Sequence, residues 1–214
     1  INKSPAQHEE RVKRMSRPKL EIRDLCVTYD NGTTRNDILK HVNLTVPDGA
    51  FISVIGPSGC GKSTLLKAIS GLIPISSGEV LIDGKPIDGV PDKVSYVFQN
   101  DALLPWKSVL DNIRLPLDLK GLPKSEQKAE ALRLVKLVNL SGFENYPIQR
   151  LSGGMRKRVA LARAFAYDPD IYLMDEPFGP LDAQTRVVIG EEFTRIWEKL
   201  GKSVIFVTHD IEES

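Results

Sequence analysis

In the run Gly56-Pro57-Ser58-Gly59-Cys60-Gly61-Lys62-Ser63-Thr64, glycines, lysine and hydroxyls stand at the spacing G-x-x-x-x-G-K-[ST]. Each residue type has a chemical reason to be there. Gly56, Gly59 and Gly61 let the backbone bend so that its N–H groups point inward at phosphate oxygens. A helix starting behind the loop aims its positive end, roughly half an elementary charge, at the same anion. Lys62 reaches the β- and γ-phosphates, Ser63 offers a hydroxyl to Mg²⁺, and Thr64 reaches the α-phosphate. Cys60 reads as a small loop residue, not a nucleophile. The chemistry is the holding of a nucleoside triphosphate, which we read as ATP.

Two further runs carry chemistry. Ile171-Tyr172-Leu173-Met174-Asp175-Glu176 is an apolar strand that delivers two adjacent carboxylates at its end. Asp175 suits a contact with Mg²⁺, direct or through water. Glu176 is placed to polarise an attacking water as general base. Leu151-Ser152-Gly153-Gly154-Met155 precedes a helix, with Ser152 as its cap and Gly153 and Gly154 exposing backbone N–H groups. One chain has little use for two anion sites so far apart. Two copies arranged head to tail would use both. His209 ends an apolar strand, which favours a site over a core role. His8 falls in a polar tail and His41 on a strand surface, both without function.

These residues need elements to position them. Leu20 to Tyr29 alternates as a strand, and Ile38 to Val46 offers a second before Pro47-Asp48-Gly49. Phe51 to Ile55 is a short unbroken apolar run, expected in the buried middle of a sheet. A helix is expected from Gly61 to about Ile69, with Gly71 closing it. Glu79 to Ile82, Val94 to Phe98, Asp170 to Met174 and Ser203 to Val207 read as further strands. Leu110 to about Gly142 reads as helical, with Ala129, Leu132, Val135 and Val138 as its apolar stripe. A small-residue helix follows Ser152, and Ile189, Phe193, Ile196, Trp197 and Leu200 mark one face of another. Strands alternating with helices predict an α/β sheet, largely parallel in its core.

The bulk properties narrow the classes. The chain has 214 residues, 41% of them hydrophobic, and a net charge of +1. That balance gives no reason to expect nucleic acid. No apolar run is long enough to span a bilayer, and no secretory signal stands at the start. Cys26 and Cys60 do not make a disulfide framework, so a reducing, cytoplasmic compartment is expected. Residues 1–18 read as a polar tail, solvated or in weak contact with anionic headgroups.

On these motifs the sequence resembles the ATP-binding cassette family over nearly the whole chain from Leu20. The resemblance implies a P-loop NTPase fold with a mostly parallel core sheet, an antiparallel β part and an inserted helical subdomain. It implies a core over about 19–98 and 156–214, and a helical subdomain over about 99–155. It makes Gly56 to Thr64 the phosphate loop and Leu151 to Met155 the family signature. Gln99 becomes the glutamine that touches Mg²⁺ and the attacking water. Asp182 belongs to a loop crossing the dimer interface, His209 is the switch histidine at the γ-phosphate, and Tyr29 stacks on adenine. A strand-end aromatic is the alternative for Tyr29, and a solvated loop amide for Gln99.

Gln99-Asn100-Asp101-Ala102-Leu103-Leu104-Pro105-Trp106 and Pro177 to Arg186 are similar to the nitrate, sulfonate and taurine importer group, with Pro180 a departure. That implies an ATPase subunit peripheral on the cytoplasmic face of the membrane. Its partners would be a second ATPase subunit, membrane permease subunits and, indirectly, a solute-binding protein. Leu103, Leu104 and Trp106 would receive a coupling helix, with helical-lobe core as the competing reading for all three, for Leu103 above all. Family members continue beyond the position of Ser214, so a truncated chain is expected. A cassette outside transport and a nucleotide-gated dimerisation module stand as alternatives. The first would carry a long coiled-coil insertion in DNA repair, or two cassettes per chain on the ribosome. Glu176 and His209 argue against the second.

Overall fold

A computed structural model describes residues 18–30, 32, 34–179 and 181–209. Residues 1–17 of the expected polar tail and Pro180 lie outside them, while Pro18, expected in the tail, opens the first strand. The strands are β1 (Pro18–Asp30), β2 (Arg35–Pro47), β3 (Phe51–Ile55), β4 (Ser77–Ile82), β5 (Lys85–Pro86), β6 (Val94–Val97), β7 (Ile171–Asp175) and β8 (Ser203–Thr208). The helices are α1 (Lys62–Ile69), α2 (Val109–Leu119), α3 (Lys124–Leu137), α4 (Gly153–Tyr167) and α5 (Ala183–Leu200). A 3₁₀ turn, Ile148–Arg150, leads into α4.

Two sheets form. One is antiparallel in the order β2-β1-β4-β5, and the other runs β3-β8-β7-β6 with all pairings parallel. The parallel sheet is the middle layer, and the period of two in its strands shows why. On β7, Ile171 and Leu173 face one apolar cluster while Tyr172 and Met174 face another. On β8, Ile205 and Val207 face the first and Val204 and Phe206 the second. The first cluster holds α1 and the antiparallel sheet, through Leu65, Leu66, Ile69, Leu20, Ile22 and Val27. The second holds α2, α3, α4 and α5. Strands buried on both faces need continuous apolar runs, as Ile171 to Met174 and Val204 to Val207 provide.

Two expectations are corrected. The run Phe51 to Ile55 lies at an edge of the parallel sheet, not in its middle, and Ile55 is 47% exposed. Phe51 packs on one cluster and Ile52 and Val54 on the other. An unbroken apolar run therefore records contact on both faces and carries no signal about lateral neighbours. The stripe Ala129, Leu132, Val135, Val138 is not the buried one. Ala131, Leu134, Val135 and Val138 are buried, whereas Ala129 and Leu132 are exposed. Steps of three residues fall about 60° short of a full turn each, so three such steps put Ala129 opposite Val138.

Ion pairs tie the layers. Lys19 of β1 reaches Asp83 at 2.9 Å, beyond β4, and Asp170 at 2.8 Å, just before β7.

Candidate nucleotide site

The phosphate loop joins β3 to α1. Pro57 to Cys60 are exposed, and α1 begins on Gly61 with no side-chain cap and no acidic residue in its first turn. Its leading N–H groups are thus left for an anion. Gly61 sits at φ 101°, and a Cβ there would lie 3.0 Å from Leu39 Cδ2 of β2. Both observations demand glycine. Lys62 is buried, and its ammonium donates to the carbonyls of Gly56 at 2.7 Å and Pro57 at 2.9 Å. The cation is therefore folded back across the mouth of the loop. Ser63 and Thr64 follow on the first turn, half-buried.

β7 delivers its two carboxylates beside this loop. Asp175 Oδ1 accepts from Ser63 Oγ at 2.8 Å, and Oδ2 accepts from the Tyr96 hydroxyl at 2.9 Å. Burial, with the Asp175 charge beside it, pushes the Tyr96 phenol far above its ordinary range and keeps it a neutral donor. Glu176 stands at φ 45°, a left-handed conformation for a non-glycine residue, with its N–H on Val207 O at 2.9 Å. Its Oε2 accepts from Gln99 Nε2 at 3.3 Å and lies 3.1 Å from His209 Nδ1. Its Oε1 is 4.0 Å from Lys62 Nζ. Lys62, Gln99, Glu176 and His209, from four separate segments, thus meet around one carboxylate.

Other predicted site residues lie apart. Ser152 caps α4, accepting from the Met155 N–H at 3.3 Å, and Ser152 and Gly153 are exposed. Gly154 has a packing reason of its own, since a Cβ there would lie 2.9 Å from Thr185 Cγ2 of α5. Among the described residues no hydrogen bond or ion pair joins Ser152 to Gly154 with the phosphate loop. Helices α1 and α4 pack on opposite faces of the parallel sheet. Asp182 is the N-cap of α5, accepting from the Thr185 N–H at 3.0 Å, and that donor holds its carboxyl below the usual range. Tyr29 is about half exposed near the end of β1, opposite Asn36. Leu103 is half-buried and packs on the helical cluster, while Trp106 is 76% exposed.

Three contributors escaped the sequence reading: Tyr96, Lys157 and Arg163. Lys157 shares helical spacing with the buried Leu161 and Ala164, and a lysine on an apolar face is a signal that a partner waits there.

A phosphate loop between strand and helix, with another strand of the same parallel sheet ending in paired carboxylates, defines a P-loop enzyme that binds and hydrolyses a nucleoside triphosphate. The chain belongs to the ABC transporter family, whose model matches residues 39–179. It is an ATP-binding transport ATPase. It is 46% identical over 211 residues to an uncharacterized ABC transporter ATP-binding protein of Methanocaldococcus jannaschii, covering 97% of this chain and 79% of that protein. It is 48% identical over 176 residues to the taurine import ATP-binding protein of Rhizobium johnstonii, covering 82% and 67%. Among solved structures it resembles an ATP-binding cassette in a dimeric post-hydrolysis state bound to ADP and Pi. The TM-score is 0.81 at 37% identity, over 91% of this chain and 89% of that one. Among the described residues no helix is long and apolar enough to cross a membrane.

Proposed function

We propose that the chain is the ATPase subunit of an importer for solutes of the nitrate, sulfonate or taurine kind. It acts as a head-to-tail pair beneath a separate membrane permease, on the cytoplasmic face, with a solute-binding protein as indirect partner. The observation that carries the catalytic reading is the meeting of Lys62, Gln99 and His209 on Glu176. In this reading Glu176 takes the proton of the attacking water, Gln99 orients that water, and His209 and Lys62 stabilise charge on the γ-phosphate. Tyr29 stacks on adenine. Ser152, Gly153, Gly154 and Asp182 face the nucleotide of the second subunit. The placement of α1 and α4 on opposite sheet faces supports a site shared between two chains.

The residues present fit Mg²⁺. Ser63, Asp175 and Gln99 offer hard oxygen donors beside a phosphate cradle. Among the described residues no group of three or more His, Cys, Asp or Glu could hold a metal alone. Mg²⁺ is commonly held by one or two carboxylates plus substrate phosphates, which matches this donor set. When bound, it would neutralise charge on the β- and γ-phosphates.

The importer reading rests on the named relatives and on an apolar surface beside Gln99. Phe98, 41% exposed, and Leu119, 80% exposed, line one cleft with Leu115 and Pro116. We assign this surface to a short helix of the permease. We also assign residues 19–98 and 156–214 to the nucleotide-binding core, and 99–155 to a helical subdomain.

The test uses Glu176→Gln. ATP binding is expected to persist while hydrolysis falls at least a hundredfold, and the ATP-loaded variant should run as a dimer on size exclusion. Normal turnover would sink the catalytic assignment. Failure of the chain to co-purify with any polytopic membrane protein would sink the importer assignment alone.

A further inference from the structure

Both oxygens of Asp175 accept hydrogen bonds from hydroxyls of the chain. Ser63, on α1, donates to Oδ1, and Tyr96, on the adjacent strand β6, donates to Oδ2. The strand register explains the second bond. Tyr96 pairs with Leu173 across the parallel ladder, and Asp175 lies two residues further along β7 on the same face. The phenol therefore reaches one pleat along the neighbouring strand. The ring is fixed as well. It rests against Phe98 with centroids 4.4 Å apart, and against the apolar cluster under α1.

The two bonds are not equivalent. A serine hydroxyl can donate its proton to Asp175 and still offer a lone pair to a cation. The Ser63 bond is thus compatible with the metal role proposed for both residues. Tyr96 lies on the other side of the carboxylate and offers Oδ2 a donor. With Oδ2 anchored, the plane of the carboxylate is set and Oδ1 stays turned toward Ser63 and the phosphate loop.

We propose that Tyr96 is a positioning residue for Mg²⁺, fixing the carboxylate of Asp175 through its hydroxyl. The inference rests on the proposed reading of Asp175 as the Mg²⁺ carboxylate. Hydrogen-bond partners of metal-binding carboxylates typically carry ten- to a hundredfold in metal affinity.

The experiment titrates Mg²⁺ into the chain in the presence of ADP, which keeps hydrolysis out of the readout. For Tyr96→Phe, half-saturating Mg²⁺ should rise about tenfold, while ADP affinity in EDTA stays within twofold of wild type. Asp175→Asn is run beside it. If Asp175→Asn leaves the Mg²⁺ titration unchanged, the reading of Asp175 fails and the inference falls with it. If Asp175→Asn shifts the titration and Tyr96→Phe does not, the positioning role alone is overturned. Should Tyr96→Phe not fold, wild-type protein labelled with 3-fluorotyrosine gives the answer. The ¹⁹F resonance of Tyr96, told from those of Tyr29, Tyr146, Tyr167 and Tyr172 by replacing each of these four with Phe, should move when Mg²⁺ joins bound ADP, and no such movement overturns the proposal.

Discussion

The ammonium of Lys157, on a side chain only 1% exposed, donates to the backbone carbonyl of Gln99 at 3.1 Å. The same nitrogen pairs with Asp101 Oδ1 at 2.9 Å, and Arg163 donates to the carbonyls of Asp101 and Ala102. The helix that opens on Ser152 therefore also grips the segment that presents Gln99 to Glu176. Removing Lys157 leaves Asp101 without its buried partner, although Arg156 remains 3.6 Å away. Lys157→Met should destabilise the chain by about 3 kcal/mol, measured by urea unfolding. It should also lower the ATPase rate about tenfold with ATP affinity retained, an order-of-magnitude figure for one misplaced positioning group. A Lys157→Met enzyme with wild-type turnover would show that this grip does not position Gln99.

Lys62 spans the phosphate loop through the carbonyls of Gly56 and Pro57. Lys62→Ala should weaken ATP binding at least tenfold, as expected for loss of a charge-assisted contact of about 1.5–3 kcal/mol. Titration calorimetry measures it, and an unaltered dissociation constant would count against the phosphate role.

Gly153 and Gly154 are neighbours in sequence but differ in surroundings. A Cβ on Gly154 meets Thr185 Cγ2 at 2.9 Å, whereas one on Gly153 has nothing nearer than 3.9 Å. Gly154→Ala should cost about 1–3 kcal/mol from overpacking. Adding Thr185→Ser, which removes that methyl, should restore most of it in thermal melts. Gly153→Ala should leave the melt unchanged and still reduce hydrolysis, because its exposed face is the one proposed to meet a second chain. Equal melts for the two alanine variants would contradict the packing argument.

Asp83 supplies a pH dependence. Burial pushes its carboxyl up, but hydrogen bonds from Lys93 and Lys19 outweigh burial and hold it below the ordinary range. A lowered folded pKa means stability that is complete above the unfolded value of about 4 and lost as pH falls through the folded value. Asp83→Asn should therefore lower the urea midpoint at pH 7 and converge on wild type as the pH falls through the lowered folded value. A gap that widens in acid would reverse the assignment.

The phosphate loop, the paired carboxylates at Asp175 and Glu176, and the capped helix after Ser152 were all legible in the chain. Local geometry dictates them: glycines where the backbone must turn, a lysine and a hydroxyl at fixed reach, and a serine before a helix. The alternation of strands and helices was legible because burial on two faces writes apolar runs and burial on one face writes stripes. The lateral order of strands was not, and β3 was misplaced because hydrogen bonding to a neighbour leaves no mark on side-chain type. Only the tertiary structure brought Gln99, His209 and Lys62 onto Glu176, and Tyr96 onto Asp175. Those contacts join residues from 33 to 114 positions apart, set by sheet register and helix docking, and no local pattern of residues encodes so long a closure.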